Sequence, residues 1–299
     1  MTKLFRDCLF ADKPVFSSPI LILFMSVAPK RSSAVFRKLE QDLAKLSSGL
    51  EARNVHRLRT GTRRLQILLG ELSPELDRNQ KKLLKLLGRL RRRAGKVRDL
   101  DVQLAALRRL KIPREPRRKT QLISELIELR GRQEKKLRKA VDHDTVRETH
   151  RRLKRAGKAF KPEASRDPLT VAGEMLERIH REDGPMTEAL LHQYRIAAKR
   201  ARYVAEFAEQ SAEAAQFIAG LKRIQDASGD WHDWLTLTQT ANAHLGDVRE
   251  SSLVAELHNV TGAKFRHAVT VLSQMRGVRG TTKPISATVK SRPSAAVAA

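Results

Sequence analysis

Residues 55–64 read VHRLRTGTRR and residues 191–200 read LHQYRIAAKR, two versions of one pattern in which basic residues follow a histidine. The shared form is H-x-x-R-x-x-x-[KR]-R, and the two histidines lie 136 residues apart. A pattern that recurs at a long separation indicates an internal duplication. The flanking segments should then repeat at nearly the same separation.

The flanking segments do repeat. Residues 95–100, GKVRDL, align with residues 229–234, GDWHDW, at a separation only two residues shorter. Upstream of the histidine motifs, residues 39–47 match residues 175–183 in the spacing of their apolar side chains. The sequence therefore predicts two copies of one structural unit.

The apolar residues from position 32 onward recur every three or four positions, as in Val35, Leu39, Leu43 and Leu46. This spacing is typical of amphipathic helices, and no segment shows the alternation expected of a strand. Clusters of Gly, Pro and Ser should divide the chain into helices of ordinary length. These breaks fall at residues 47–49, 73–74, 112–116, 161–168, 184–185 and 246–247. We predict an all-α fold.

The two copies define the predicted domain organisation. The predicted units are one domain at 32–276, its first copy at about 32–161 and its second copy at about 166–276. Residues 1–31 are expected to be either disordered or a misassigned extension, with Met25 as the true start. Residues 277–299 combine small and basic residues with little periodicity, so we predict a disordered basic tail.

The composition indicates a folded, basic protein with an anionic partner. The chain has 60 Lys and Arg against 33 Asp and Glu, a net charge of +27, and 40% hydrophobic residues. Its one cysteine, Cys8, excludes a disulfide framework and a cysteine-based zinc site, which favours a cytoplasmic location. The apolar run at residues 20–28 is well short of the ~20 residues that span a bilayer, so no membrane association is expected.

A basic stripe is predicted on the helix that carries each histidine motif. Because each helical residue turns by about 100°, the histidine and the residues three and seven positions later share one face. Like charges at this spacing repel one another, and a bound anion would relieve the repulsion. The predicted anion-binding residues are His56, Arg59, Arg63, Arg64, Arg89, Arg92, Lys96, Arg98, His192, Arg195, Lys199, Arg200, Arg202, Lys222 and Arg223.

Several His, Asp and Trp residues also have predicted roles. The histidines are expected to contact the anion as hydrogen-bond donors whose charge depends on pH. Asp99 and Asp233 should begin the fourth helix of each copy, where a carboxylate caps backbone amides or holds a neighbouring Arg in place. Trp231 and Trp234 align with aliphatic residues of the first copy, which indicates core packing. Residues 142–144, DHD, are interpreted as a solvated turn or helix start instead of a metal site.

With these paired motifs the sequence resembles the CHAD family, the conserved histidine alpha-helical domain, from about Ser32 to Met275. In that family the histidine motif is followed by an L-G-x-x-R-D or L-G-x-x-[NH]-D turn, which residues 94–99 and 228–233 match except at the leucine. The resemblance implies two helical bundles related by pseudo-twofold symmetry around a basic central channel. It also implies that the channel binds inorganic polyphosphate and can direct proteins to polyphosphate granules.

The candidate functions are polyphosphate binding, general polyanion or RNA binding, and catalysis. Polyphosphate binding leads, because a linear phosphate chain has no bases and needs only point-charge donors. The alternative is a general polyanion-binding or RNA-binding protein, although aromatic residues for base stacking make up only 4% of the chain. An enzyme would need a phosphate loop or an acidic metal cluster, and neither pattern occurs. We expect no catalytic residues, metal or cofactor, and the sequence leaves the oligomeric state open.

Overall fold

The computed structural model of the protein describes residues 27–73, 75–111, 116–162, 166–180, 185–246, 248–249 and 251–280. Within these ranges the regular secondary structure is entirely helical, so the predicted all-α fold is confirmed. The described helices are α1 (Pro29–Ser48), α2 (Ala52–Glu71), α3 (Arg78–Arg109), α4 (Pro116–Ala140), α5 (His143–Ala159), α6 (Pro168–His180), α7 (Glu188–Ala205), α8 (Ala212–Leu245) and α9 (Ser252–Gly280).

Helices that follow one another in the chain pack side by side. Contacts join α1 to α2, α2 to α3 and α3 to α4, and the same order joins α6 to α7, α7 to α8 and α8 to α9. Helix α5 packs against α1 and α3. The first half, α1–α5, contacts the second half, α6–α9, through α2 with α7, α3 with α8 and α4 with α8. The two helices that carry the histidine motifs therefore lie against each other.

Apolar burial holds the two halves together. The largest core cluster includes Leu58 and Leu87 from the first half and Tyr194 and Leu221 from the second, all almost fully buried. A second cluster joins α3 and α4 to α8 and α9. Each fully buried leucine side chain contributes about 2 kcal/mol to folding. Since both clusters draw residues from both halves, neither half can be removed without exposing the core of the other.

Each predicted break separates two helices, but two further breaks were not predicted. Helix α5 begins after Asp142, whose carboxylate accepts a hydrogen bond of 2.6 Å from the Thr145 amide. Helix α8 begins after Ser211, whose hydroxyl accepts one of 3.0 Å from the Ala214 amide. Neither boundary contains the Gly and Pro cluster on which the prediction depended. A single polar N-cap residue is instead the local signal at each helix start.

The prediction that Asp99 and Asp233 begin new helices is wrong. Helix α3 has 32 residues and α8 has 34, and each runs without interruption through the Gly95 or Gly229 region. A glycine in a helix interior costs only about 1 kcal/mol relative to alanine. Burial of Leu90, which is 1% exposed, and of its neighbours on the same face outweighs that cost. The expectation of helices of ordinary length therefore fails at these two helices.

The predicted ends of the domain also differ from the structure. Val27 is buried, and Ala28 donates its amide hydrogen to the Phe207 carbonyl at 3.0 Å. Arg31 donates to the Glu206 carbonyl at 2.8 Å. The predicted N-terminal extension of residues 1–31 therefore reaches five residues too far, and its first 26 residues lie outside the described residues. Similarly, α9 continues to Gly280, so the tail predicted from residue 277 overlaps a helix, and residues 281–299 lie outside the described residues.

Candidate functional site

The two predicted basic stripes are partly buried where α2 meets α7. Their opposite faces form the core, since Leu58, Leu191 and Ala198 are fully buried. Burial and, after it, repulsion from Arg63 and Arg195 together lower the pKa of Lys199 from 10.5 to about 8. Because Arg63 lies in the first half and Lys199 in the second, basic residues of both halves repel one another here.

The same mutual repulsion extends to the other arginines of this region. Burial lowers the pKa of Arg63 and Arg195, and Arg59 lowers both further. Arg63 itself acts on Arg195, again across the two halves. Within the described ranges, neither Arg63 nor Lys199 has a carboxylate at ion-pair distance. We define the shared cation cluster as Arg59, Arg63, Arg91, Arg195 and Lys199.

Arg91 is the member of the cluster that the sequence prediction missed. Burial lowers its pKa, followed by repulsion from Arg63 and Arg59. Its Nε atom is buried and has no hydrogen-bond partner within the described structure. The charge run on α3 gave no reason to choose Arg91 over its neighbours Arg89 and Arg92. The available signal was the position of Arg91, three residues after Gly88 and four before Gly95, on the face of α3 that meets α2.

Two carboxylates face the shared cation cluster. Arg59 donates from Nη1 to Asp99 Oδ1 at 2.7 Å and to the Gly95 carbonyl at 3.2 Å. One of the two roles predicted for Asp99, holding a neighbouring Arg in place, is therefore confirmed. The other, capping of backbone amides, is wrong, because Asp99 lies inside α3. Burial raises the pKa of the Asp233 carboxyl, while Arg195 opposes this effect. The cluster thus contains more cationic than anionic groups.

The histidines line one side of the cluster. The rings of His192 and His232 lie 5.1 Å apart, and His232 Nδ1 is buried without a hydrogen-bond partner in the described structure. Burial and, after it, repulsion from Arg195 lower the pKa of His232 to about 4. Partial burial, Arg98 and Arg59 lower the pKa of His56. Near neutral pH, His56 and His232 are therefore predominantly uncharged hydrogen-bonding groups.

Several predicted site residues are instead held in ion pairs at the rim. Arg64 and Arg202 both pair with Glu206, at 2.9 and 2.8 Å. Their guanidinium groups also lie over the Tyr203 ring, at 5.7 and 4.9 Å from its centroid. Arg200 pairs with Glu71, which joins α7 to the end of α2. The Arg64–Glu206 and Arg200–Glu71 pairs connect the two halves. All of these pairs neutralise charge, so their arginines contribute less positive potential than the shared cation cluster.

The remaining predicted residues lie farther from the cluster. Arg89, Arg92 and Lys96 are exposed on α3, whereas Arg98 is partly buried beside His56. Lys222 pairs with Asp226 at 2.5 Å on α8, and Arg223 is exposed on the same helix. Helical phase explains the difference, since the prediction placed these four cations of α3 in one set although they point in several directions.

Two further sequence interpretations are resolved by the structure. Trp231 is fully buried against Phe265, with ring centroids 5.9 Å apart, and Trp234 packs against the second core cluster. Both tryptophans are therefore packing residues, as predicted. Asp142 is the N-cap of α5, so residues 142–144 form the predicted helix start.

Among the residues that the structure describes, no group of His, Cys, Asp or Glu side chains could hold a metal ion. None of the described helices is both long and apolar enough to cross a bilayer.

Known proteins support the fold and identify the family. The chain is similar to the crystal structure of the CHAD domain from the plant Ricinus communis, with a TM-score of 0.57 and 18% sequence identity over 86% of this chain and 92% of that one. No curated protein matches the chain. A family model described as the CHAD domain matches residues 32–242, more than half of the chain. With its paired histidine motifs on contacting helices, the chain belongs to the CHAD-domain family.

Proposed function

We propose that this protein binds inorganic polyphosphate, without cutting it, through the shared cation cluster. The observation that carries the proposal is the repulsion between partly buried cations of the two halves, shown by the effect of Arg63 and Arg195 on the pKa of Lys199. Uncompensated charge at partly buried positions is costly to a fold. A ligand with closely spaced negative charges removes that cost on binding.

The chemistry of the cluster favours a bare phosphate chain over a base-bearing polymer. Guanidinium groups donate paired hydrogen bonds to phosphate oxygens, and a lysine ammonium adds a point charge. The aromatic rings near the cluster are not available for stacking, because Tyr194 and Trp231 are buried and Tyr203 lies beneath two arginines. Base recognition by stacking is thus disfavoured.

The arrangement of the two halves supports a channel for such a chain. Corresponding helices of the two copies contact each other, α2 with α7 and α3 with α8, and both copies pack their helices in the same order. We propose that the halves are related by pseudo-twofold symmetry around a basic channel lined by the cluster. A linear polymer bound along this axis would meet equivalent donors, such as Arg59 and Arg195, from both copies.

Binding without catalysis is part of the proposal. The carboxylates at the cluster are Asp99, which holds Arg59, and Asp233, which faces Arg195. These acids are engaged by arginines, so we assign them no role in hydrolysis. A cytoplasmic protein with this activity would be recruited to polyphosphate granules.

The direct test is a variant that removes the charge of the cluster. In full-length protein, Arg59, Arg63, Arg195 and Lys199 are changed together to Gln, which keeps the polar stem and removes the charge. Binding of long-chain polyphosphate should be lost, by about 100-fold or more, because several charge-assisted hydrogen bonds of about 1.5–3 kcal/mol each disappear. Thermal stability should stay equal or rise, because mutual repulsion is removed.

The matched control changes four exposed cations away from the cluster, Arg132, Lys135, Lys136 and Lys139, to Gln. The control carries the same net charge as the cluster variant. Equal loss of polyphosphate binding in both variants would show that net charge alone drives binding. Unfolding of the cluster variant would show that the cations serve the fold.

A further inference from the structure

The outward face of α3 carries a row of cations separate from the shared cation cluster. Residues 78–98 contain ten Lys and Arg and no Asp or Glu. Six of these recur at three- or four-residue steps, and all six side chains are exposed: Arg78, Lys82, Lys85, Arg89, Arg93 and Lys96. At 1.5 Å per residue the row is about 27 Å long. We call this row the outer stripe.

The outer stripe and the shared cation cluster lie on different faces of α3. Arg91, the α3 member of the cluster, is partly buried, whereas Arg89 and Arg93 on either side are exposed. At 100° per residue, the centre of the outer stripe is turned by about 160° from Arg91 around the helix axis. A ligand bound at the cluster would therefore not contact most of the stripe.

The charges of the outer stripe are not balanced by neighbouring acids. Within the described part of the chain, none of its six side chains has a carboxylate at ion-pair distance. Exposed arginines elsewhere do have such partners, as in Arg138 with Glu134 at 3.0 Å and Arg147 with Asp144 at 3.1 Å. Like charges three and four residues apart destabilise a helix. The stripe thus costs stability unless an anion binds it.

The outer stripe is absent from the second copy. At the separation that aligns Gly95 with Gly229, the corresponding residues of α8 are Ala212, Gln216, Ala219, Arg223, Ala227 and Asp230. Only one of the six is basic, and one is acidic. The duplicated architecture of the cluster therefore does not require the stripe, which indicates a separate role for the first half.

We propose that the outer stripe binds the phosphate backbone of double-stranded nucleic acid without preference for base sequence. The stripe offers a straight series of point charges that can lie along the backbone of a duplex. The opposite side of α3 packs against α2, α4 and α5, so the helix cannot enter a groove deeply enough to read bases. Residues 78–98 contain no aromatic side chain, which disfavours unpaired bases.

The test compares two full-length variants of equal net charge. In the stripe variant the six residues of the outer stripe are changed to Gln. In the control, six exposed cations elsewhere are changed to Gln: Arg132, Lys135, Lys136, Lys139, Lys154 and Lys158. Fluorescence anisotropy measures the binding of random-sequence duplex RNA and duplex DNA from 50 to 200 mM salt. Polyphosphate binding of each variant is measured in parallel.

The unaltered chain should lose about 10³-fold in duplex affinity over this salt range, as expected for about six neutralised phosphates. The stripe variant should lose most of that affinity and most of the salt dependence, while the control keeps both. Equal losses in the two variants, or an unchanged stripe variant, would overturn the proposal. Loss of polyphosphate binding alone in the stripe variant would overturn it as well, because the stripe would then serve the polyphosphate site. The proposal for the outer stripe is independent of the proposed function, because duplex binding by the stripe does not require the cluster to bind polyphosphate.

Discussion

Lys199 is the member of the shared cation cluster whose protonation responds to pH near neutrality. Burial and the neighbouring arginines lower its pKa from 10.5 to about 8. Between these values the unfolded chain holds a proton at Lys199 that the folded chain releases. The free energy of unfolding should therefore gain from this residue as pH rises through that window. A bound phosphate chain favours the ammonium form of Lys199, so binding raises the pKa of this side chain.

Polyphosphate binding is predicted to weaken as pH rises from 7 to 9, because Lys199 loses its proton near pH 8. In Lys199→Arg the charge is retained over this range, so the pH dependence should largely disappear. In Lys199→Gln the affinity should be lower throughout, by about 10-fold, as expected for one lost charged hydrogen bond. Isothermal titration in buffers of different ionisation enthalpy measures the proton uptake directly. If Lys199→Arg shows the same pH profile as the unaltered chain, another group causes the pH dependence of binding.

Asp99 competes with the ligand for Arg59. The Asp99 side chain is 62% exposed, so its pair with Arg59 should contribute less than about 1 kcal/mol to folding. We predict that Asp99→Asn lowers thermal stability slightly and strengthens polyphosphate binding several-fold, because it removes a negative charge from the site. Parallel thermal unfolding and titration measure the two effects. Weaker binding would mean that Asp99 positions Arg59 for the phosphate.

At the level of helices, the continuity of α3 fixes where Arg91 of the cluster lies relative to Asp99. Since α3 is uninterrupted, Arg91 and Asp99 stand on one rigid element although eight positions separate them. A helix break between them would allow the two side chains to move independently. The long helices therefore fix the relative positions of a cation and the carboxylate that holds Arg59.

Gly95→Ala and Gly229→Ala test this continuity. A Cβ at position 95 would lie 3.5 Å from Arg59 Nη1, an ordinary contact, and one at position 229 would meet nothing within 4 Å. Because both glycines lie inside continuous helices, each substitution should raise the free energy of unfolding by about 0.5–1 kcal/mol. Chemical denaturation measures the change. Destabilisation by both substitutions would indicate a break or a positive φ at these positions.

Periodicity and local signals predicted the helices and their packing faces but not every element of the site. The three- and four-residue spacing of apolar residues is a local property, so buried residues such as Leu58 and Tyr194 were predictable. The pairing of Arg64 with Glu206 joins residues far apart in the chain, and no local pattern reports it. Arg91 was missed because the cations of α3 were not separated by helical phase, although the spacing of Arg91 from Gly88 and Gly95 places it on the face that meets α2.

At the scale of the whole molecule, the two halves form a common core. Ion pairs across α2 and α7 and apolar clusters drawn from both halves couple their stability. We predict one cooperative unfolding transition. The two tryptophans, Trp231 and Trp234, report only the second half, whereas circular dichroism reports the helices of both. Coincident transitions by the two methods are expected, and an earlier transition in either would show that the halves unfold separately.

The central claim is that the shared cation cluster recognises a phosphate chain and not merely negative charge. The most direct measurement is the displacement of labelled long-chain polyphosphate from the full-length protein by single-stranded RNA of matched total charge, at near-physiological salt. We predict that RNA displaces polyphosphate only at concentrations orders of magnitude above those of unlabelled polyphosphate. Displacement by RNA at equal charge concentration would contradict it and would identify a general polyanion-binding protein.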